Sequence, residues 1–147
     1  MLHRTILAFI CLTLASCHMK KEPLVIGHRG AMGHETENTL PSIQKALDLG
    51  VDMIEIDVFK IKSGEVVVFH DDKLDRITNA PGNIEDYYIV DLMQVIVDGG
   101  HKIPMLQEVL KLIDNKVALN IEQKNWSPDN FIISSFNWDE LKDMRKY

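Results

Sequence analysis

The stretch from Asp52 to Asp72 opens on an alternation, with Ile54, Ile56 and Val58 apolar and Glu55 and Asp57 acidic between them. A side-chain period of two predicts a β-strand with one apolar and one acidic face. After a turn at Ser63-Gly64, the run Val66-Val67-Val68-Phe69 is apolar on both faces, as for a strand covered by protein on each side, and it ends on His70 and Asp71. Two arrangements satisfy this pattern. As parallel neighbours, the strands present Glu55, Asp57 and His70 at a common place; as an antiparallel hairpin, they leave a half-buried sheet with a solvated acidic face.

Upstream, Leu24-Val25-Ile26 reads as a buried strand opening into the glycine-flanked turn Gly27-His28-Arg29-Gly30. Leu40, Ile43, Ala46 and Leu47 recur on one face of a helix, with Asn38 or Thr39 as N-cap, Pro41 in the first turn and Gly50 at the stop. Strand, helix, strand in this order predicts a right-handed βαβ unit with parallel first and second strands. From Asp72 to Lys102 clean periodicity is lost, and turns at Ala80-Pro81-Gly82-Asn83 and Gly99-Gly100 bracket an apolar stretch from Tyr87 to Val97. This segment is expected to be an insertion capping the site, with Tyr87-Tyr88 used for packing. Pro104 opens a second helix whose Leu106, Val109, Leu110 and Ile113 face the core. Val117 to Lys124 repeats the alternation, with Asn120, Glu122 and Lys124 on its polar face.

These strand ends gather chemistry. His28 and Arg29 pair a proton-transfer group with a fork-shaped phosphate donor, and the flanking glycines let a ligand approach the backbone. Glu37 either orients Arg29 through an ion pair or is a solvated first-turn residue favoured by the helix dipole. Glu55, Asp57 and Glu122 make three oxygen donors, the hard set suited to Ca²⁺ or Mg²⁺.

Composition narrows the function classes. The 147 residues are 46% hydrophobic and 26% charged, with a net charge of -6. One globular domain fits this balance, and the scattered basic residues offer no nucleic-acid face. An acidic chain can still bind phosphate where a cation inverts the local field. Met1 to Arg4 is a short basic region, Thr5 to Ala15 an apolar stretch too short to span a bilayer, which needs roughly 20 residues. Leu14-Ala15-Ser16-Cys17 looks like a bacterial lipobox, which predicts a signal peptide over 1–16, a lipid anchor on Cys17 and a polar tether over 18–23. A plain secretory signal is the alternative. On the lipoprotein reading the protein is held at the cell envelope, facing the periplasm or exterior, with no thiol left for a disulfide.

The ordered set His28-Arg29-Gly30, Glu37-Asn38-Thr39, Glu55-Ile56-Asp57, His70-Asp71, Ile103-Pro104 with Leu106, Glu122 with Lys124, and Ser134-Ser135-Phe136 resembles the glycerophosphodiester phosphodiesterases, which are TIM-barrel enzymes. The resemblance implies an α/β fold of the (β/α)₈ type over 24–147. It implies His28 and His70 as general base and acid, Arg29 and Lys124 on the substrate phosphate, and Glu37 and Asn38 in support. Glu55, Asp57 and Glu122 would hold one divalent cation, Ca²⁺ or Mg²⁺. The substrate would be a small glycerophosphodiester, released as glycerol 3-phosphate and an alcohol such as choline or ethanolamine. A phospholipase or sphingomyelinase with a similar barrel differs in substrate and ranks lower, because of the insertion after His70-Asp71.

A complete barrel takes about 250 residues, so the chain is expected to hold only its first half. The pattern provides at most five strands, the last from Phe131 to Ser135, before a helical segment from Asp139 to Tyr147. Only Asn125 to Asn130 separate Lys124 from the fifth strand, whereas a parallel crossover needs a dozen or more residues, which predicts an internal deletion at 125–130. Such a scaffold would expose an unpaired edge and an apolar surface that oligomerisation could cover. An inactive fragment and a lipoprotein that binds cation and phosphate without turnover are the competing expectations.

Overall fold

The computed structural model describes residues 23–125. The expected signal peptide, the Cys17 anchor, nearly all of the tether and everything beyond Asn125 lie outside the described residues. These include the expected fifth strand, the terminal helix, Ser134-Ser135-Phe136 and most of the segment assigned to a deletion.

Strand β2 (Met53–Lys60) is the axis of the sheet. Along one edge it pairs over six residues with β4 (Ala118–Gln123), parallel and in register Met53↔Ala118 to Val58↔Gln123. Two short strands share the other edge. β1 (Ile26–Gly27) pairs parallel with Met53 and Ile54, and β3 (Val66–Val68) pairs antiparallel with Val58 to Lys60. Helix α1 (Leu40–Leu49) carries the chain from β1 to β2 and α3 (Leu106–Ile113) leads into β4, so β1, β2 and β4 form a run of parallel strands with helical crossovers. That is the α/β pattern expected.

Local chemistry sets the ends of α1. Thr39 is the N-cap, its hydroxyl accepting from Ser42 N; Pro41 sits in the first turn, where its missing N–H costs nothing, and Gly50 takes the left-handed conformation at the C-terminus. In α3, Glu108 reaches back to accept from Met105 N at 2.8 Å.

Two cores flank the sheet. Ile54, Ile56 and Val58 pack against Ile43 and Ala46 of α1 and Val109 and Ile113 of α3. On the opposite face, Phe59, Val67 and Phe69 pack against Leu74, Ile84, Leu92 and Val95 of the segment between β3 and α3. That segment contains two single 3₁₀ turns, Leu74–Arg76 and Ile84–Asp86, and the short helix α2 (Ile89–Leu92). The two-sided apolar character of Val66 to Phe69 is thereby explained, since each face meets a different core.

Several expectations are corrected. β2 and β3 form an antiparallel hairpin, yet its acidic face is buried rather than solvated: Glu55 is 8% and Asp57 1% exposed. The carboxylates lie mid-strand, and because Phe69 N donates to Asp57 O at 3.0 Å, the antiparallel β3 still delivers His70 beside them. Leu24, Val25 and Ile26 are not buried, since β1 is an edge strand with no covering layer among the described residues. Leu110 is partly exposed because it lies on the flank of α3 away from the sheet, and Tyr88 stands out from its packed neighbour Tyr87. The 72–102 segment buttresses the second core and forms one wall of the site instead of a cap.

Candidate active site

The turn after β1 holds a non-glycine residue in the left-handed region. Arg29 adopts φ 51°, a left-handed conformation that costs a non-glycine residue of order 1–2 kcal/mol. Three contacts hold it there: its N–H donates to Glu55 Oε2 at 2.9 Å, and its carbonyl accepts from Asn38 N at 3.0 Å and Ser42 Oγ at 2.9 Å. Gly30 follows at φ 81°, and a Cβ there would sit 2.5 Å from Ser42 Oγ and 2.7 Å from its carbonyl carbon. Only glycine lets the loop lie this close to α1.

From that loop Arg29 reaches two carboxylates. Nη1 donates to Glu37 Oε1 at 3.0 Å, and Nε lies 3.4 Å from Asp57 Oδ2 without hydrogen-bond geometry. Glu37 therefore makes the ion pair rather than facing solvent. Asn38, also left-handed at φ 56°, donates from Nδ2 to Asp57 Oδ2 at 2.9 Å and accepts from Asp57 N at 3.3 Å. Asp57 Oδ1 meets Lys124 Nζ at 2.9 Å, and the same ammonium lies 2.6 Å from Glu122 Oε1. Burial alone would lower the Lys124 pKa, but the hydrogen bonds to Glu122 and Asp57 prevail and hold it above the ordinary range.

Glu55, Asp57 and Glu122 each offer an oxygen within 4.8 Å of the others. The register explains why: Asp57 pairs with Glu122 across β2 and β4, and Glu55 lies two residues back on the same face. The donors fit a hard divalent cation on two counts. Glu55 Oε1 is buried with no hydrogen-bond partner, and burial, reinforced by the neighbouring Asp57, pushes the Glu55 carboxyl above its usual range. Lys124 meanwhile places a positive charge between the other two carboxylates. Exposure differs across the set, with Glu122 the open member at 59%.

His28 projects from the same loop, largely exposed, its Nε2 3.8 Å from Glu55 Oε2. His70 lines an open groove of about 770 Å³ together with Asp71, Arg76 and Lys124. Its Nδ1 lies 2.5 Å from Asp71 Oδ1, which leaves Nε2 for proton transfer. The sequence motifs missed what connects the two halves. Arg76 donates from Nε to Asp71 Oδ2 at 2.5 Å, and from Nη2 and Nη1 to Glu37 Oε1 and Oε2 at 2.5 and 3.1 Å. Burial would raise both carboxyls, but these bonds, with those from Arg29 to Glu37 and from His70 to Asp71, hold both below the ordinary range. Ser42 was also missed; it donates to Arg29 O and accepts from Ala31 N at 2.9 Å.

The family model for the glycerophosphoryl diester phosphodiesterase family matches residues 28–126, which span this whole constellation. The chain belongs to that family. It is 35% identical to a glycerophosphodiester phosphodiesterase of Caldanaerobacter subterraneus over 150 aligned positions, covering 84% of this chain and 62% of the relative. A Bacillus altitudinis glycerophosphodiester phosphodiesterase is 38% identical over 112, covering 69% and 45%. Among solved structures, a phosphodiesterase of Oleispira antarctica in complex with the product sn-glycerol-3-phosphate superposes with a TM-score of 0.67 at 36% identity, over 69% of this chain and 44% of that one. The fold class is thus the TIM-barrel type of these family members, with β1, β2 and β4 as successive parallel strands. The chain spans about half the length of the curated relatives it matches.

Proposed function

We propose that this site hydrolyses glycerophosphodiesters to glycerol 3-phosphate and a free alcohol such as choline or ethanolamine. The observation that carries the reading is the meeting of three carboxylates, Glu55, Asp57 and Glu122 on β2 and β4, with Lys124 just past β4 and with Arg29 and His28 from the loop after β1. Glu55, Asp57 and Glu122 would hold one divalent cation, Ca²⁺ or Mg²⁺. Held there, such a cation would supply positive charge to the phosphodiester.

The chain's own groups account for the remaining work. Arg29 and Lys124 neutralise the phosphodiester, each backed by a carboxylate that fixes its direction. His28 and His70 are the general base and acid: one accepts the proton of the attacking hydroxyl, from water or from the substrate's own glycerol, as its oxygen forms a bond to phosphorus. The other donates a proton to the alcohol oxygen as its bond to phosphorus breaks. On the glycerol route the product is a cyclic phosphate, which a water then opens to glycerol 3-phosphate. Asp71 holds the His70 ring at Nδ1 and so leaves Nε2 for the proton transfer. Cys17, on the lipobox reading, would anchor the protein to a membrane of the cell envelope; incorporation of labelled fatty acid that persists in Cys17→Ser would refute this.

The decisive experiment measures glycerol 3-phosphate release from glycerophosphocholine with Ca²⁺, with Mg²⁺ and with chelator. Turnover that requires the cation and falls by about 10²–10⁴ in His28→Ala supports the reading. A folded chain that binds cation and phosphate without turnover would replace it with a binding function.

A further inference from the structure

The Arg76 bonds have a geometry that the diesterase reading does not use. We propose that Arg76 is a positioning residue for that reaction, its guanidinium fork tying the carboxylate that holds Arg29 to the carboxylate that holds His70, so that phosphate binding and proton transfer keep one register. The proposal rests on the diesterase reading of the site.

The chain of contacts is continuous. It runs from Arg29 Nη1 through Glu37 to the Arg76 guanidinium, then through Asp71 to His70 Nδ1, and every link is 3.1 Å or shorter. Arg29 and His70 come from opposite ends of the site, on the loop after β1 and at the end of β3, and no direct bond joins them among the described residues. Arg76 borders the groove, so direct contact with substrate is the rival role. All three of its nitrogens are already spent on carboxylates in divergent directions, which favours positioning. Its own base is firm: Leu74, in the same 3₁₀ turn, is fully buried in the second core, and Thr78 Oγ1 donates to Leu74 O at 2.8 Å. The segment with no periodicity thereby reaches the Arg29–Glu37 pair through Arg76. A lysine ammonium can meet two carboxylates, as Lys124 does, but it lacks the planar fork that gives Glu37 two bonds and Asp71 a third from separate nitrogens.

The test compares kcat and KM for glycerophosphocholine, with divalent cation saturating, in wild type, Arg76→Ala and Arg76→Lys, and adds methylguanidinium to Arg76→Ala. Alongside, imidazole ¹⁵N spectra of the substrate-free chain report the His70 tautomer. In Arg76→Ala, kcat should fall about tenfold to hundredfold with KM within about threefold of wild type, and methylguanidinium should restore part of the loss. Arg76→Lys should remain impaired, and the Nδ1-protonated His70 signal of wild type should give way to a tautomer mixture in both variants. A rise in KM at unchanged kcat would make Arg76 a substrate ligand and overturn the proposal. Full activity in Arg76→Lys, or an unchanged His70 tautomer, would overturn it too. If wild type shows no turnover, the diesterase reading fails, and the imidazole spectra alone still decide whether Arg76 sets His70. Should Arg76→Ala fail to fold, Arg76→Lys carries both measurements.

Discussion

Glu37 and Asp71 have few routes to relief if the guanidiniums beside them are lost, because each is drawn partly out of water by the fold. Their ordinary values are 4.5 and 3.8, and both are lowered in the folded chain. A carboxyl whose pKa is lower folded than unfolded contributes stability that is complete above the unfolded value and lost as pH falls through the folded one. Urea midpoints should therefore be flat near neutrality and drop below about pH 4, and Arg76→Ala should weaken that drop because both groups lose a partner. An acid limb identical in the two proteins would show that these bonds contribute nothing to stability. The residues that carry chemistry were mostly legible, since His28-Arg29-Gly30 and Glu55-Ile56-Asp57 sit beside strands whose periodicity is plain. Arg76 was not, because no periodic element frames it; the available signal was a basic residue five positions beyond Asp71.

At the scale of elements, the loop between β1 and α1 is the tightest joint, and its demands fall on Gly30. In Gly30→Ala a Cβ would meet both the Ser42 hydroxyl and the α1 backbone, and backbone cannot yield as a flexible side chain can. The residue would also keep a left-handed conformation. Together these should cost about 2–4 kcal/mol of unfolding free energy by denaturant titration, and activity should fall with it because Arg29 rides on the same turn. A cost under about 0.5 kcal/mol, the level of an ordinary surface change, would mean that the loop relaxes freely. Helix α1 was readable from its caps and apolar stripe. The direction of β3 was not, because alternation records which face a residue takes and says nothing about which way the partner strand runs. The burial of Glu55 and Asp57 was equally hidden: a period of two marks a second face, while its covering by Arg29, Asn38 and Lys124 depends on elements distant in sequence.

For the whole molecule, the three carboxylates span the longest strand pairing among the described residues, because Glu55 and Asp57 come from β2 and Glu122 from β4. A cation held by all three would bind the folded chain and not the unfolded one, and so would stabilise the molecule by mass action. At a cation concentration about a hundredfold above Kd the gain is roughly 2.7 kcal/mol. Wild type should show this as a rise in Tm with Ca²⁺ or Mg²⁺ that chelator reverses, whether or not turnover is detected. Glu122 is the member to remove. It is mostly exposed, with Lys124 as its charged partner, so in the absence of added cation Glu122→Gln should change stability by only about 0.5 kcal/mol. The loss of the cation-dependent rise would then report lost ligation rather than lost fold. Asp57→Asn would not discriminate in this way, since it disturbs Asn38, Arg29 and Lys124 together. A full Tm rise surviving in Glu122→Gln would place the cation elsewhere and remove β4 from the metal set. Loss of the rise, with His28 and Arg29 intact, would tie the sheet's central pairing to the charge that a phosphodiester must meet.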